Sequence, residues 1–416
     1  MTQVALPYGR GSLLLTVPEE AVILEPRYLP TLADEVAAIR EALAHPLAGP
    51  PLVVPTGARV GISVCDVTRA FPARRVLPAL LEALGGVEVT LFVATGTHRP
   101  CTPAELKAMF GEEVLARCQV VQHDAFACER HTALGRVPGS EVPALIETAF
   151  LEQDVRIVTG FIEPHFFAGF SGGPKMVAPG LAALETVLEL HSAARIASPR
   201  ATWGVTVGNP IHDAIRAIAE RAGIAFSLDV TLNKDHGITG VFAGELATAH
   251  ARGCAFARET AMVPVAAPFD VVVTTNSAYP LDQNLYQSVK GMSAAAQIVR
   301  PGGAILIASA CEDGLPAHGR YAEHLASARS PKAFLARLAD PAFRAHDQWQ
   351  AQVQALIQQR ADVFLKTDGI PPDEVRRAWL EPVDDLAAAL ADLQRRYGHR
   401  VAILPQGPQT IPYLAA

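Results

Sequence analysis

Short runs of β-branched and aliphatic residues alternate with longer helix-forming stretches along this chain, and that rhythm restricts the architectures open to it. ARVGISVCD (58–66), VEVTLFVA (87–94) and DVRIVTGF (154–161) have the length and composition of buried strands. A helix is expected from about Pro72 to Leu84. Thr102-Pro103-Ala104-Glu105 carries a capping-box start with proline at the first helical position, so a second helix begins there. Strand, helix and strand in repetition predict an α/β protein with mainly parallel sheets and helices on both faces.

The rhythm breaks at MVPVAAPF (262–269) and restarts with FDVVVTT (269–275), a helix near 285–298, Gly302-Gly303 and AILIAS (304–309). A chain of 416 residues is long for one core. Two α/β domains are therefore expected, over 1–267 and 268–400. The tail 401–416 holds one more strand, VAILP, and a segment, QGPQTIPYL, read as returning to the first domain.

Half the residues are apolar, and 35 basic against 42 acidic side chains leave a net charge of −7. No basic footprint marks a nucleic-acid partner. Cys65, Cys101, Cys118, Cys128, Cys254 and Cys311 lack CxxC spacing, which disfavours a zinc ribbon or disulfide framework and fits a reducing cytoplasm. The start, MTQVALPYGRGSLLLTVPEEAVIL, has no basic head and unbroken apolar core of a signal peptide. No uncharged apolar run reaches spanning length, so no membrane partner is expected.

Ligands of open α/β sheets bind beyond the carboxyl ends of the strands, and polar clusters fall at those places. CDVTR supplies Asp66 and Arg69, ATGTHRP supplies His98 and Arg99, and GFIEPH supplies Glu163 and His165. In the second half, TTNSAYPLDQNLYQSVKG supplies Gln287 and Lys290. A lone histidine is more often structural than catalytic. His98 and His165 stand out because both follow strands in glycine-bearing loops, and imidazole serves as base and acid near neutral pH. Two such groups from separate strands suit a racemase, in which a planar intermediate is served from both faces. Arg69 and Lys290 suit a substrate carboxylate or an ordinary surface ion pair. Trp349, in AHDQWQAQ, reads equally as pocket wall or core.

FSGGPK resembles a phosphate-binding loop, but Pro174 precedes Lys175 and Met176 follows it, against GxxxxGK[ST]. Gly172 and Gly173 could still bring backbone amides close to a phosphate. Lys175 reads either as a solvated turn lysine or, beside MVAPGLA, as a desolvated nucleophilic amine. His191, in LELHSAAR, and His212, in GNPIHDAI, belong to no HExxH pattern. By itself His191 reads as a packing histidine.

Taken in order, DVTR, GTHRP, GFIEPHFFAGFSGGPK, LHS, GNPIH, YPLDQNLYQSVKGM and DQWQAQ resemble the nickel-pincer lactate racemase family, from Asp66 to Gln352. The resemblance implies two α/β domains with the active site in a cleft between them. It implies nickel held in pyridinium-3-thioamide-5-thiocarboxylic acid mononucleotide, attached covalently to Lys175, with His191 as the one protein ligand to the metal. His98 and His165 would exchange protons with a 2-hydroxy acid while hydride moves to and from the cofactor. Arg69 and Lys290 would anchor the carboxylate, and Gln287 and Trp349 would position substrate and cofactor. Asp66, Gly172 and Gly173 would serve the ribose–phosphate portion. Proteins that build the cofactor are the implied partners. The chain departs from the family's pattern at Pro174, where a basic residue is common.

A racemase or epimerase of a 2-hydroxy acid such as lactate or malate is the leading expectation. An NAD-dependent 2-hydroxyacid oxidoreductase is the first alternative, disfavoured because no clean GxGxxG follows the first strand. A non-catalytic nickel-cofactor carrier is the second, and it would leave the histidine pair unexplained.

Overall fold

The computed structural model describes residues 2–316, 319–340 and 342–415. The chain divides into two compact units, one formed by Tyr28–His191 and Ser198–Thr260, the other by Met1–Arg27, Ser192–Ala197 and Ala261–Ala416.

The first unit is built on a six-stranded sheet, in the order Ile238–Gly244, Phe226–Leu232, Val155–Phe161, Arg59–Cys65, Glu88–Ala94, Gln119–Gln122. All neighbours are parallel except the outermost Ile238–Gly244, which pairs antiparallel with Phe226–Leu232. The chain starts at a central strand, Arg59–Cys65, builds outward on one side, then crosses to build on the other. This makes Arg59–Cys65 and Val155–Phe161 the pair flanking the switch in direction, where open sheets leave a crevice at their carboxyl ends.

Alternate residues of these strands face different layers. Val60, Ile62, Val64, Val89, Leu91 and Val93 form one core with Ile39 and Leu43 of helix Glu35–Ala44, with Val76, Leu77 and Leu80 of helix Ala73–Leu84, and with Phe110 and Val114 of helix Pro103–Arg117. Each aliphatic side chain buried this way contributes on the order of 1.5–3 kcal/mol. The capping box expected at Thr102 is present: its side chain accepts from Glu105 N, and the Glu105 carboxylate accepts from Thr102 N. On the opposite face Ser63 Oγ donates to Met176 O at 2.7 Å, and Phe92 packs edge-on against Phe150.

The second unit has an all-parallel six-stranded sheet, in the order Glu381–Val383, Ala361–Lys366, Val299–Ala308, Phe269–Thr275, Val401–Leu404, Val22–Ile23. Gly302-Gly303, expected to precede a strand, lies inside one. The register moves from Phe269↔Val299 to Val271↔Ala304, so a bulge absorbs the extra residues, and Gly302 has φ +69°.

The division of the chain differs from the expected one at both ends. Residues 1–27 were assigned to the first domain, yet hairpin Thr2–Tyr8/Gly11–Val17 buries Val4, Leu6, Leu15 and Val17 in one core with Val271, Leu306, Leu390 and Ile403 of the second unit. The tail also belongs there: Val401–Leu404 is a sheet strand, and Ile411–Leu414 pairs in parallel with Met262–Val265. A seven-residue strand of mixed polarity gives no local sign of which distant core it joins. Among the described residues, no helix is long and apolar enough to cross a membrane.

Candidate active site

Three adjacent central strands of the first unit end in the polar clusters singled out above. Asp66 follows Arg59–Cys65, His98 lies four residues past Glu88–Ala94, and His165 lies four past Val155–Phe161. The parallel arrangement brings those ends to one edge of the sheet.

Asp66 is buried and meets His98 directly, Oδ2 to Nδ1 at 2.7 Å. Its other oxygen accepts from Thr68 N and Thr68 Oγ1 at 3.1 and 2.6 Å. Burial pushes this carboxyl up, but the hydrogen bond and charge of His98, the charge of Arg69 and the Thr68 hydroxyl outweigh it, and the group ends below the usual carboxylate range. An ionised carboxylate only accepts, so His98 Nδ1 carries a proton, and Nε2 is the nitrogen that gives up and takes back the other proton. The expected ribose–phosphate role of Asp66 thus meets a different partner: this carboxylate is engaged by His98 and Thr68. Arg69 N donates to Asp66 O at 3.2 Å. Arg99 is tied to Glu105 by contacts of 2.6 and 2.8 Å.

His165 is held in a tight hairpin, Pro164–His165 pairing with Gly169–Phe170. Glu163 anchors its base through its backbone: Glu163 N donates to Ser171 Oγ and Ser171 N donates to Glu163 O. Gly169 turns the hairpin at φ +80°, where a Cβ would lie 2.2 Å from Val205 O. Ala168 N donates to His165 Nδ1 at 3.3 Å. The neutral ring of His165 therefore carries its proton on Nε2, opposite to His98.

Lys175 lies on the 3₁₀ turn Gly173–Met176, its N–H on Gly172 O and its carbonyl accepting from Gly180 N, both at 3.1 Å. The loop before His98 touches the same turn through Gly96 N donating to Gly180 O at 3.0 Å. Gly172 and Gly173 have φ +72° and +47°. A Cβ on Gly172 would lie 2.8 Å from Ile162, and one on Gly173 would lie 2.4 Å from His250. The Gly173 amide, expected to approach a phosphate, donates instead to Asp229 Oδ1 at 2.8 Å. These glycines shape the turn that carries Lys175.

His191 caps helix Leu184–Leu190 and is buried. Its Nδ1 lies 2.7 Å from Val187 O, which only accepts, so Nδ1 is the protonated nitrogen and Nε2 the lone-pair donor. This is the state required of a metal-binding imidazole, with the other ring nitrogen fixed by a carbonyl. The Phe167 ring gathers the cluster: its centroid is 4.6 Å from His165, 5.0 Å from His191 and 5.9 Å from Lys175 Nζ. Phe167 was not singled out from sequence. The doubled aromatic in PHFF was its only signal, and that signal does not distinguish core from site. His212 is buried and stacked on His250 at 5.6 Å.

Gln287, Lys290 and Trp349 belong to the other unit. Gln287 and Lys290 share helix Leu285–Ala296, three residues apart and half-buried, and Asn284 caps that helix by accepting from Gln287 N. Trp349 is buried on helix Gln348–Arg360 with its ring 5.5 Å from His346. Gln350 Nε2 donates to Tyr286 O, so the two helices carrying these three residues are in contact.

Comparison with known proteins agrees along the whole length. Family profiles described as lactate racemase N-terminal domain and lactate racemase C-terminal domain match residues 8–204 and 265–411. A lactate racemase of Thermoanaerobacterium thermosaccharolyticum is 35% identical over 428 residues, covering 99% of this chain and 99% of that protein. One of Lactiplantibacillus plantarum is 33% identical over 421 residues, covering 98% and 99%. The solved lactate racemase apoprotein of T. thermosaccharolyticum matches with a TM-score of 0.93 at 34% identity, over 99% of this chain and 100% of that one. A Thermotoga maritima protein, at TM-score 0.69 and 19% identity, shares the fold.

Proposed function

This chain belongs to the lactate racemase family and is an isomerase, and from that premise we propose that it interconverts the enantiomers of lactate or a closely related 2-hydroxy acid such as malate. The observation that carries the reading is the opposite hydrogen bonding at Nδ1 of two strand-end imidazoles, an acceptor for His98 and a donor for His165. His98, fixed by Asp66, offers Nε2 as a base, and His165, fixed by Ala168 N–H, offers Nε2–H as an acid. Removing the hydroxyl proton of one enantiomer and returning a proton for the other needs one group of each kind, and the roles exchange when the direction reverses.

The residues present suit the nickel-pincer nucleotide. Lys175 supplies an amine on a turn locked by Asp229, and His191 supplies a nickel-competent Nε2. When bound, that group supplies the acceptor and donor of hydride for the carbon bearing the hydroxyl. The chain's own part is to hold the amine and imidazole in place, to move the hydroxyl proton through His98 and His165, and to fix the substrate carboxylate, for which Arg69 and Lys290 are the proposed cations. Gln287 and Trp349 are proposed to orient substrate and cofactor. Proteins that assemble the nucleotide are the proposed partners, and the free cysteines support a cytoplasmic setting.

The test is chiral analysis of single-enantiomer L-lactate, D-lactate, L-malate and D-malate after incubation with cofactor-loaded protein. Approach to a 1:1 mixture from either lactate enantiomer is the expected result. Unchanged enantiomeric purity for all four acids, with nickel bound, rejects the proposal.

A further inference from the structure

A second histidine cluster lies behind the loop that leads to His98, and nothing in the racemase chemistry uses it. His123 follows strand Gln119–Gln122, while His131 and Glu147 sit opposite each other at the open end of hairpin His131–Arg136/Pro143–Glu147. His123 and Glu147 are almost fully buried and His131 is half-buried. One ligand atom from each lies within 4.8 Å of the others.

The hydrogen bonds fix the tautomer of His131 and accommodate the matching one at His123. His131 Nδ1 lies 3.0 Å from Ala127 O, a pure acceptor, so Nδ1 holds the proton. The Thr95 hydroxyl lies 2.9 Å from His123 O and 3.2 Å from His123 Nδ1; when it donates to the carbonyl, its oxygen accepts from Nδ1. In that arrangement each neutral ring has a lone pair on Nε2, and the two Nε2 atoms face each other at 3.1 Å. Two lone pairs at that distance repel unless something cationic lies between them.

A proton is one candidate and a metal ion the other. A proton on one Nε2 gives a plain imidazole–imidazole hydrogen bond, whereas an ion also draws in the Glu147 carboxylate, which lies within 4.8 Å of both rings' ligand atoms. Two nitrogens bound tetrahedrally at ~2.0–2.1 Å from one ion stand roughly 3.3 Å apart, close to the separation seen. Glu147 brings the negative charge. Its carboxylate accepts from Arg130 at 3.1 and 3.4 Å, and Arg130 also donates to Gln122 O, which leaves carboxylate lone pairs for an ion.

We propose that His123, His131 and Glu147 form a three-ligand site for a divalent cation of the zinc class, with a fourth position for water. Two imidazoles and a carboxylate are a zinc-type donor set. The ion would clasp the hairpin to the segment Thr95–His98 through the Thr95–His123 contacts, so its role is to brace the strand end that presents a catalytic imidazole. The site is separate from Lys175 and His191 and does not depend on the reading of the racemase centre.

The test is zinc stoichiometry of the full-length protein after equilibration with Zn²⁺ and desalting, in wild type, His131→Ala, Glu147→Gln and, as a control, His191→Ala. About one equivalent retained by wild type and by His191→Ala, falling severalfold in His131→Ala and Glu147→Gln, is expected. No retention by wild type, or equal retention in the His131→Ala and Glu147→Gln variants, overturns the proposal. Should those variants fail to fold, Co²⁺ added to His191→Ala decides: ligand-field bands of a nitrogen–oxygen site support it, and the spectrum of aqueous Co²⁺ overturns it.

Discussion

At the scale of single residues, Asp66 and His98 illustrate how a buried acceptor selects the useful tautomer. An asparagine at position 66 offers either an oxygen or an NH₂ group to His98 Nδ1, and it removes the charge that steadies the imidazolium. Asp66→Asn is therefore expected to lower turnover by roughly 10²-fold or more, within the range of lost general acid–base catalysis, while nickel content stays unchanged. Equal turnover in the two proteins contradicts the positioning role. The strand-end residues Asp66, His98 and His165 were legible in the sequence because strand ends can be located from local apolar runs. Their partners were not. Asp229 stands 56 residues from the Gly173 amide that it anchors, and Ala168 acts through its backbone, which no side-chain pattern reveals. Phe167 is recognised only when His165, His191 and Lys175 surround it.

At the scale of elements, the hairpin carrying His165 depends on one position. Gly169 is left-handed and pressed against the Val205 carbonyl. Alanine there meets both a disfavoured φ and a backbone atom that cannot move without shifting the following loop. Gly169→Ala is expected to destabilise the protein by about 2 kcal/mol or more, read from the urea midpoint, and to reduce activity further by displacing His165. A midpoint within error of wild type contradicts the packing argument. Elements with strong local signals were predictable: the capping box at Thr102 and the buried strands 59–65, 88–94 and 155–161 need no tertiary information. The hairpins were not singled out, since Pro164–His165 and Gly169–Phe170 are two-residue strands held by long-range contacts.

At the scale of the whole molecule, stability is coupled to pH through buried imidazoles. Burial, followed by the charge of His250, brings His212 down to about 3, against a weaker opposing contact with the Ala168 carbonyl. The unfolded chain protonates this residue below about pH 6.5, while the folded chain resists until about pH 3. Its contribution is fully present above pH 6.5 and is lost as pH falls through that window, with a limiting slope of about 1.4 kcal/mol per pH unit. The urea midpoint is expected to drop between pH 7 and pH 5, and His212→Gln is expected to show a smaller drop. Identical pH profiles would assign the acid sensitivity elsewhere. Asp66 adds a second loss at lower pH, since its depressed carboxyl contributes above about pH 3.9 and ceases to do so as it protonates.

The sheet that ends in Val22–Ile23 is closed against Val401–Leu404, so the earlier-made strand acquires its neighbour only after the whole stretch between them has been translated. At ~5–20 residues per second that interval lasts tens of seconds. The unit formed by Tyr28–His191 and Ser198–Thr260, by contrast, can complete its own sheet while synthesis continues. The buried face of hairpin Thr2–Val17, Val4, Leu6, Leu15 and Val17, must meanwhile wait exposed in the nascent polypeptide, which makes it a stretch with much to gain from a chaperone during translation.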